Sequence, residues 1–383
     1  MKRLLFIIYF LFTGIVYAES EALYCDSAST NAAKILGSKY SIGEDPTSAK
    51  LLWIRKGYSN FYNNLGEFQL INHLPKEKSI VNKGKVLEVL RNYENGKRAK
   101  DEGFTPMSQF IKRTFRLYDP AERDRFVEHY NKEIGDNIWI LKPTSLSRGR
   151  GMKIISNRDD FDKYFGQKSV IDERKYIAQK YISNVLLLND RKSEIRVYWL
   201  IASLDPLRVY FYPEGSVRLC TAPYKLDDFE NTSIHIANTF QQKKDPAYDG
   251  SKVKWSFADL DRYLLSTGVV NQEEYMKQVL LPKVKASLRQ VVRAAAADLR
   301  DQPENGMFFG FYGTDFIIDD NLVPWLEDIQ IGPGLSYKNE VKKKYLPKML
   351  LEATAIMLEI QDKKSKNQPL DHISAQKDFE RLL

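Results

Sequence analysis

Two carboxylates and one amide in the stretch GTDFIIDDNLVPWLEDIQIGPGLS are spaced so that they could hold a metal ion. If the chain turns at 320–322, Asp315 lies opposite Asp328 on the neighbouring strand, and Gln330 leaves the same face as Asp328. Oxygen ligands of these types suit Mg²⁺, a hard cation that shares its coordination shell with phosphates and waters. The alternative is a structural salt bridge between Asp315 and a nearby cation. The same alternation places Glu327 on the opposite face, toward solvent or in a structural role.

A loop rich in glycine and arginine separates two apolar runs in NIWILKPTSLSRGRGMKIISN. It matches neither common phosphate-loop pattern, because both of those patterns lead into a helix. Gly149 and Gly151 would instead let a hairpin lid lay its backbone N–H groups over phosphates. Lys142 ends the first run and could place its ammonium on a phosphate, while Arg148 and Arg150 add positive charge. The alternative is an exposed hairpin that carries solubilising charges.

A third stretch, DRKSEIRVYWL, carries charged residues at alternate positions. Lys192, Glu194 and Arg196 therefore share one face of a predicted strand, which is either a solvated edge or the lining of a site. Arg218 follows a turn on the next hairpin and could hold a carboxylate through two hydrogen bonds.

Together the three stretches supply what the ATP-dependent activation of a carboxylate requires. Mg²⁺ and cationic side chains neutralise the triphosphate while a carboxylate attacks the γ-phosphate to give an acyl phosphate. An amine then displaces phosphate and forms an amide. Lys142, Arg196 and Arg218 are the candidate catalytic residues of such a reaction.

The elements that must position these residues read as an α+β fold in which antiparallel sheets carry the loops. Two long strands joined by an Asp-Pro turn follow residue 186, and Gly215 marks a further turn. A hairpin around 319–321 and a helix over 340–361 come next, and Pro282 is expected to kink a helix over 272–300. The expected divisions are a signal peptide, an N-terminal lobe, a central lobe, a C-terminal lobe and a polar tail with a short surface helix, at 1–18, 19–105, 106–185, 186–361 and 362–383.

Composition sets the limits of these interpretations. The 383 residues carry a formal net charge of +8, which favours acidic partners such as nucleic acids, anionic lipids, nucleotides or acidic protein tails. No specific nucleic-acid partner is expected. The two cysteines, Cys25 and Cys220, and four histidines lack the spacing of a zinc site, so nothing in the sequence supports a zinc enzyme. Whether the cysteines pair is left open.

The N-terminus has the pattern of a targeting segment. Lys2 and Arg3 precede a short apolar stretch, and VYA then ends it with residues that suit a signal peptidase. We expect a signal sequence that exports the chain or directs it to a membrane, with an uncleaved anchor as the alternative. A chain that works in the cytosol after delivery is also compatible with this pattern.

Six motifs in chain order resemble those of the tubulin–tyrosine-ligase-like family. They are WILKPTSLSRGRG, AQKYI, RKSEIRVYWLIASLDPLRVYFYPEGSVR, TAPY, HIANTF and GTDFIIDDNLVPWLEDIQIGPGLS. The resemblance covers roughly residues 50 to 360. It implies the ATP-grasp fold, with antiparallel sheets and flanking helices in N-terminal, central and C-terminal lobes.

The resemblance also assigns roles to individual residues. Arg218 matches the arginine that holds the incoming amino acid, Lys83 loosely matches a nucleotide-side lysine, and the metal ligands would be Asp315, Asp328 and Gln330. The implied ATP-binding residues are Lys142, Arg148, Gly149, Arg150, Gly151, Gln179, Lys180, Tyr181, Ile182, Lys192, Glu194, Ala237 and Asn238.

The implied function is an ATP- and Mg²⁺-dependent ligase that adds an amino acid, glutamate above others, to an acidic protein acceptor such as tubulin. The sequence departs from the family pattern at Glu194, Asp328 and Gln330, where the family has Asp, Glu and Asn. Each change keeps the chemical type and shifts its reach by one methylene. A different acceptor, a phosphotransferase, or a weakened enzyme that acts as a binding module are the alternatives.

Overall fold

The fold rests on three β-sheets, which a computed structural model describes over residues 22–96, 103–166, 172 and 175–383. The predicted signal segment, 1–18, lies outside the described residues. Among those residues, no helix combines the length and the apolar character that crossing a membrane requires. Cys25 is partly buried, Cys220 is buried, and both are free thiols.

The strands are β1 (Ala22–Cys25), β2 (Ser41–Gly43), β3 (Leu51–Trp53), β4 (Leu70–Ile71), β5 (Thr114–Arg116), β6 (Trp139–Pro143), β7 (Lys153–Ile155), β8 (Tyr176–Lys180), β9 (Ser193–Leu204), β10 (Leu207–Leu219), β11 (Lys254–Trp255), β12 (Met307–Phe308), β13 (Gly310–Ile318), β14 (Pro324–Ile331) and β15 (Glu380–Arg381). The helices are α1 (Thr30–Leu36), α2 (Lys78–Val81), α3 (Lys83–Asn95), α4 (Pro120–Lys132), α5 (Arg158–Phe165), α6 (Thr232–His235), α7 (Thr239–Gln242), α8 (Phe257–Ser266), α9 (Leu281–Arg300) and α10 (Glu340–Ser365).

The α+β prediction is confirmed, and the sheets differ in direction. The central sheet, β5-β8-β6-β7, and the C-terminal sheet, β11-β10-β9-β13-β14 with β15 on β10, are antiparallel. The N-terminal sheet, β12-β4-β3-β1-β2, is parallel instead. Between β1 and β2 the chain crosses through α1, and such a crossover returns the next strand in the same direction.

Alternation along β9 separates the core from the site. Ile195, Val197 and Trp199 face one apolar cluster, which includes residues of α9, while Tyr198 and Leu200 face a second cluster built largely from α10. Glu194 and Arg196 continue the second face toward the start of the strand. The face that α10 covers with apolar side chains therefore becomes charged at that end of the sheet.

Three local expectations are wrong. Gly215 does not mark a turn but lies within β10 beside a register shift, where a Cβ would clash with the carbonyl oxygen of Arg196. The helix expected over 272–300 is not one regular α-helix, because a π-helical turn at Met276–Leu280 leads directly into α9 and the hydrogen-bond pattern changes next to Pro282.

The third concerns the polar tail, which has no surface helix of its own. Residues 362–365 complete α10, and β15 pairs with β10. Phe379 and Leu382 are buried, and their burial fixes the tail to the C-terminal sheet.

Candidate active site

A cleft of about 670 Å³, including space open to solvent, lies between the central and C-terminal sheets. Its apolar walls come from Ile140, Met152, Ile182, Ile236 and Ile317. Two apolar walls of this kind suit a flat aromatic ring. The predicted site residues that line the cleft are Lys142, Gly149, Lys180, Tyr181, Ile182, Lys192, Glu194, Ala237, Asn238, Asp315, Asp328 and Gln330.

Lys142 lies on β6 with its ammonium in the cleft, and its side chain is only 2% exposed. The ammonium donates to Oε1 of Gln179 at 2.5 Å and contacts Oε2 of Glu327 at 2.5 Å. Gln179 donates in turn to the Thr114 hydroxyl at 3.0 Å. Gln179 thus does not line the cleft but holds the Lys142 ammonium in place through its hydrogen bond. Lys142 itself lines the cavity with a positive charge.

The expectation that Glu327 faces away from the site is wrong. Asp315 pairs with Asp328, whereas the next residue of β13, Phe316, pairs with Leu326. Glu327 is therefore the extra residue of a β-bulge, which interrupts the alternation on which the expectation rested. Both Glu327 and Asp328 line the cleft as a result. Nothing in the sequence pattern signals the bulge.

Arg196, Asp315 and Arg218 form an ion cluster across β9, β13 and β10. The Arg196 guanidinium donates to both carboxylate oxygens of Asp315, at 2.5 and 2.8 Å, and Arg218 also contacts Asp315. Arg218 lies 2.7 Å from Glu194 as well, without the alignment of a hydrogen bond. The structure thus brings the two predicted catalytic arginines together on a predicted metal ligand.

The surroundings of the cluster shift the pKa values of its two acids, Asp315 and Glu194, in opposite directions. Burial alone would raise the pKa of Asp315, but Arg196 and Arg218 outweigh it and hold that pKa below its usual range. Burial raises the pKa of Glu194 to about 7, even though Arg218 acts to lower it. Asp315 is therefore a permanent carboxylate, and Glu194 titrates near neutrality.

The predicted metal ligands converge. The amide nitrogen of Gln330 donates to Asp315 and to Asp328, at 3.1 Å each, and Lys83 lies 2.9 Å from Asp328. The described residues hold no cluster of three or more His, Cys, Asp or Glu side chains arranged for a metal. The carboxylates of Asp315 and Asp328 are hard donors that fit Mg²⁺ shared with phosphate oxygens, whereas the amide oxygen of Gln330 accepts a hydrogen bond from Arg196 at 3.0 Å.

The glycine-rich loop joins β6 to β7 over the cleft, as predicted. Arg148, Gly149 and Gly151 all have positive φ, at 64°, 67° and 72°. Glycine adopts this conformation most readily, and it occupies two of the three positions. Arg148 and Arg150 are exposed, and neither they nor Gly151 line the cleft. The Arg148 guanidinium lies 5.5 Å from the ring centre of Phe240. Of the four predicted loop residues, the structure places only Gly149 against the cavity.

Tyr181 and His235 orient Lys192 at the far end of the cleft. Lys192 donates to the Tyr181 hydroxyl at 3.0 Å, and that hydroxyl lies 2.9 Å from Nδ1 of His235. Nε2 of His235 lies 3.0 Å from the carbonyl of Asp228, so Nε2 carries the proton and Nδ1 accepts from Tyr181. Burial, with Lys192 beside it, lowers the pKa of His235 to about 4 and keeps the ring neutral. Sequence reasoning missed His235, although it lies in the motif HIANTF.

Comparison with known proteins places this arrangement in context. The sequence pattern of the tubulin-tyrosine ligase family matches residues 62–366. The chain is 31% identical to tubulin glycylase 3B of Tetrahymena thermophila over 228 residues, which are 58% of this chain and 18% of that protein. It is 29% identical to tubulin polyglutamylase TTLL5 of Mus musculus over 308 residues, which are 78% of this chain and 22% of that protein. The chain thus spans about a fifth of the length of these relatives.

Proposed function

Because the chain belongs to the tubulin-tyrosine ligase family, whose fold is the ATP-grasp fold, we propose that it is an ATP- and Mg²⁺-dependent ligase. It would join the amino group of an amino acid, with glutamate as the first candidate, to a carboxylate of an acidic protein acceptor of the tubulin type. The relatives named as a glycylase and a polyglutamylase support amide formation but differ in the amino acid. The acceptor carboxylate becomes an acyl phosphate, ADP leaves, and the amine displaces phosphate.

One observation carries the proposal. A single cleft combines apolar walls, the buried cation of Lys142 and the carboxylates of Asp315 and Asp328, and the arginines at 196 and 218 contact Asp315. When bound, Mg-ATP would supply the phosphoryl group that activates the acceptor. The chain itself supplies the charges that hold the reactants in place, which is the main work of enzymes that transfer phosphoryl groups.

Each polar group has a task that its position supports. Lys142 would bind phosphate oxygens, because it is a cation held at the cavity wall by Gln179 and Glu327. Asp315, Asp328 and Gln330 would hold the magnesium ion. Arg196 and Arg218 keep Asp315 ionised; Arg196 would also stabilise negative charge that develops on the acceptor oxygen, and Arg218 would hold the incoming amino acid.

The net positive charge of the chain supports an acidic protein segment as the acceptor. The formal net charge of +8 favours association with an acidic segment. A carboxylate that enters beside Arg196 would find the two acids nearest to it, Asp315 and Glu194, already paired with Arg196 and Arg218.

The test measures ADP release and the incorporation of labelled amino acids into a glutamate-rich peptide, with Mg-ATP present or absent. Asp315→Asn and Lys142→Met should reduce both signals to background while thermal unfolding stays cooperative. Asp320→Asn, at the exposed tip of the same hairpin, is the matched control and should keep full activity. Incorporation that persists in Asp315→Asn and Lys142→Met would contradict the proposal.

A further inference from the structure

Lys254 extends the charged face of the C-terminal sheet beyond the arginines. It lies on the edge strand β11 directly opposite Arg218 on β10, and Arg218 lies opposite Glu194 on β9. Residues paired across neighbouring strands project from the same face. Lys254, Arg218 and Glu194 therefore stand side by side, and the face that lines the cleft continues to the edge of the sheet.

The Lys254 ammonium has no acidic partner among the residues that the structure describes. Its hydrogen bond goes to the hydroxyl of Thr239, at 2.8 Å, and Thr239 follows Asn238 in the wall of the cleft. The two carboxylates of this region, Glu194 and Asp315, are engaged by Arg218 and by Arg196. A partly buried ammonium satisfied only by a hydroxyl is unfavourable unless an anion joins it.

Lys342 adds a second cation in the same region. It stands in the first turn of α10, where the helix dipole disfavours positive charge, and its ammonium lies 3.4 Å from the carbonyl of Gly334. The start of α10 is tied to the segment before β11, because Asn339 donates to the carbonyl of Gly250. This hydrogen bond places the first turn of α10, with Lys342, beside the chain segment that leads into Lys254.

The Arg218 guanidinium has a hydrogen-bond donor that no described residue accepts. The residue is only 7% exposed, yet its Nε has no hydrogen-bond partner in the described part of the chain. Buried polar groups are normally paired, so an unpaired guanidinium nitrogen beside an open cleft indicates a group that a ligand completes. Arg218 therefore has a donor available for the carboxylate of a ligand.

We propose that Lys254 and Lys342 form a second carboxylate subsite that binds the side-chain carboxylate of the incoming amino acid while Arg218 holds its α-carboxylate. This inference rests on the proposed ligase function and selects an acidic amino acid over glycine. Arg218 and Lys254 are paired residues, so their side chains leave the same face with Cβ atoms about 5 Å apart, a separation that one short dicarboxylate spans. Glycine has no side chain to place at Lys254, and glutamine has the length of glutamate but no charge.

The test compares amino acids in the full chain loaded with Mg²⁺ and a non-hydrolysable ATP analogue. Calorimetry should give glutamate an affinity about tenfold to a hundredfold above that of glutamine, the range expected for a hydrogen bond between charged groups. Lys254→Met should lower glutamate affinity by a similar factor and change glutamine affinity less than about threefold. Lys254→Arg should restore most of the preference.

Lys252→Met is the matched control, because Lys252 lies two residues away, is 75% exposed and pairs with Asp249. It should leave both affinities unchanged. Binding of the ATP analogue, measured for every variant, reports whether the fold is intact, and Lys342→Met gives an independent reading if Lys254→Met unfolds.

Three results would overturn the subsite: wild-type protein that does not bind glutamate, equal affinity for glutamate and glutamine, or an equal loss of both in Lys254→Met. A different result separates this inference from the ligase proposal. If glutamate binds in a manner that depends on Lys254 but no ADP or modified peptide appears, the ligase proposal fails and the subsite stands.

Discussion

The ammonium of Lys142 lies 2.5 Å from a carboxylate oxygen of Glu327, and the two side chains are 2% and 15% exposed. Glu327 reaches it only because a β-bulge in β14 adds one residue opposite β13. The bulge therefore gives the cation that faces the cavity a partner of opposite charge. Phosphates that enter the cleft would take over part of that role.

Replacing Glu327 by Gln should destabilise the protein without nucleotide more than with it. The amide still accepts a hydrogen bond, so the free energy of unfolding should fall by about 1–3 kcal/mol, below the cost of a fully uncompensated buried charge. A non-hydrolysable Mg-ATP analogue should recover part of the loss, because its phosphates restore negative charge beside Lys142. Urea denaturation with and without the analogue measures both quantities.

Glu304→Gln is the control for the Glu327 substitution. Glu304 is exposed, and surface changes of this kind usually alter stability by less than about 0.5 kcal/mol. Equal stabilisation of wild type and Glu327→Gln by the analogue would show that Glu327 does not share its partner with phosphate.

Gly149→Ala should weaken nucleotide binding. Gly149 has φ of 67°, and a Cβ there would lie 2.8 Å from the Ile236 side chain and 3.1 Å from Gln241. Strain and collision together should move the loop away from the cleft wall and raise the Kd of the ATP analogue about tenfold. Calorimetry measures the change.

Gly135→Ala separates strain from collision. Gly135 also has positive φ, at 96°, but nothing lies within 4 Å of the added Cβ. It should cost stability and leave the Kd of the analogue unchanged. A Kd that rises equally in both variants would argue against a specific role for the Gly149 contact.

The sequence predicted the elements that have strong local signals. The predicted direction of a side chain was wrong where one extra residue interrupted the alternation of a strand. The strands around the glycine-rich loop and the β13–β14 hairpin have the predicted places, because apolar runs and turn residues mark them. Glu327 was assigned to the wrong face, because alternation cannot register a bulge. Lys254 was not identified at all, because β11 has only two residues and no periodic signal.

The departures from the family pattern in the metal ligands should compensate each other. Gln330 donates to both Asp315 and Asp328, so the longer amide and the shorter carboxylate occupy one shared arrangement. Asp328→Glu and Gln330→Asn should each lower the apparent Mg²⁺ affinity about tenfold, because each change alters the reach of only one ligand. The double variant should lose less than the product of the two effects.

ADP release is measured against magnesium concentration for wild type, the two single variants and the double variant. The four apparent Mg²⁺ affinities give the coupling energy between residues 328 and 330. Residues in one hydrogen-bonded network typically couple by about 0.5–3 kcal/mol, whereas independent sites add. Asn321→Asp, in the turn of the same hairpin and outside the cleft lining, is the control. Strict additivity of Asp328→Glu and Gln330→Asn would show that the two ligands act independently.

Glutamate binding should be linked to proton uptake by Lys254. Burial, reinforced by Lys342, Arg218 and Arg196, lowers the pKa of Lys254 to about 6, and Glu194 opposes this shift. The amine is therefore largely neutral at pH 7.5 in the free protein. A bound carboxylate favours the ammonium form and raises the pKa, so the protein should take up a proton as glutamate binds.

The pH range of proton uptake follows from the pKa of Lys254 in the free protein. Uptake should be largest between about pH 7 and 8 and should decline below pH 6, where Lys254 is already charged before the ligand arrives. Calorimetry in buffers of different ionisation enthalpy measures the number of protons. Glu194, whose pKa is raised to about 7 by burial, also titrates in this window, so wild type must be compared with Lys254→Met, which retains Glu194. The difference between the two proteins isolates the proton on Lys254, and equal uptake in both would assign the linkage to Glu194 instead.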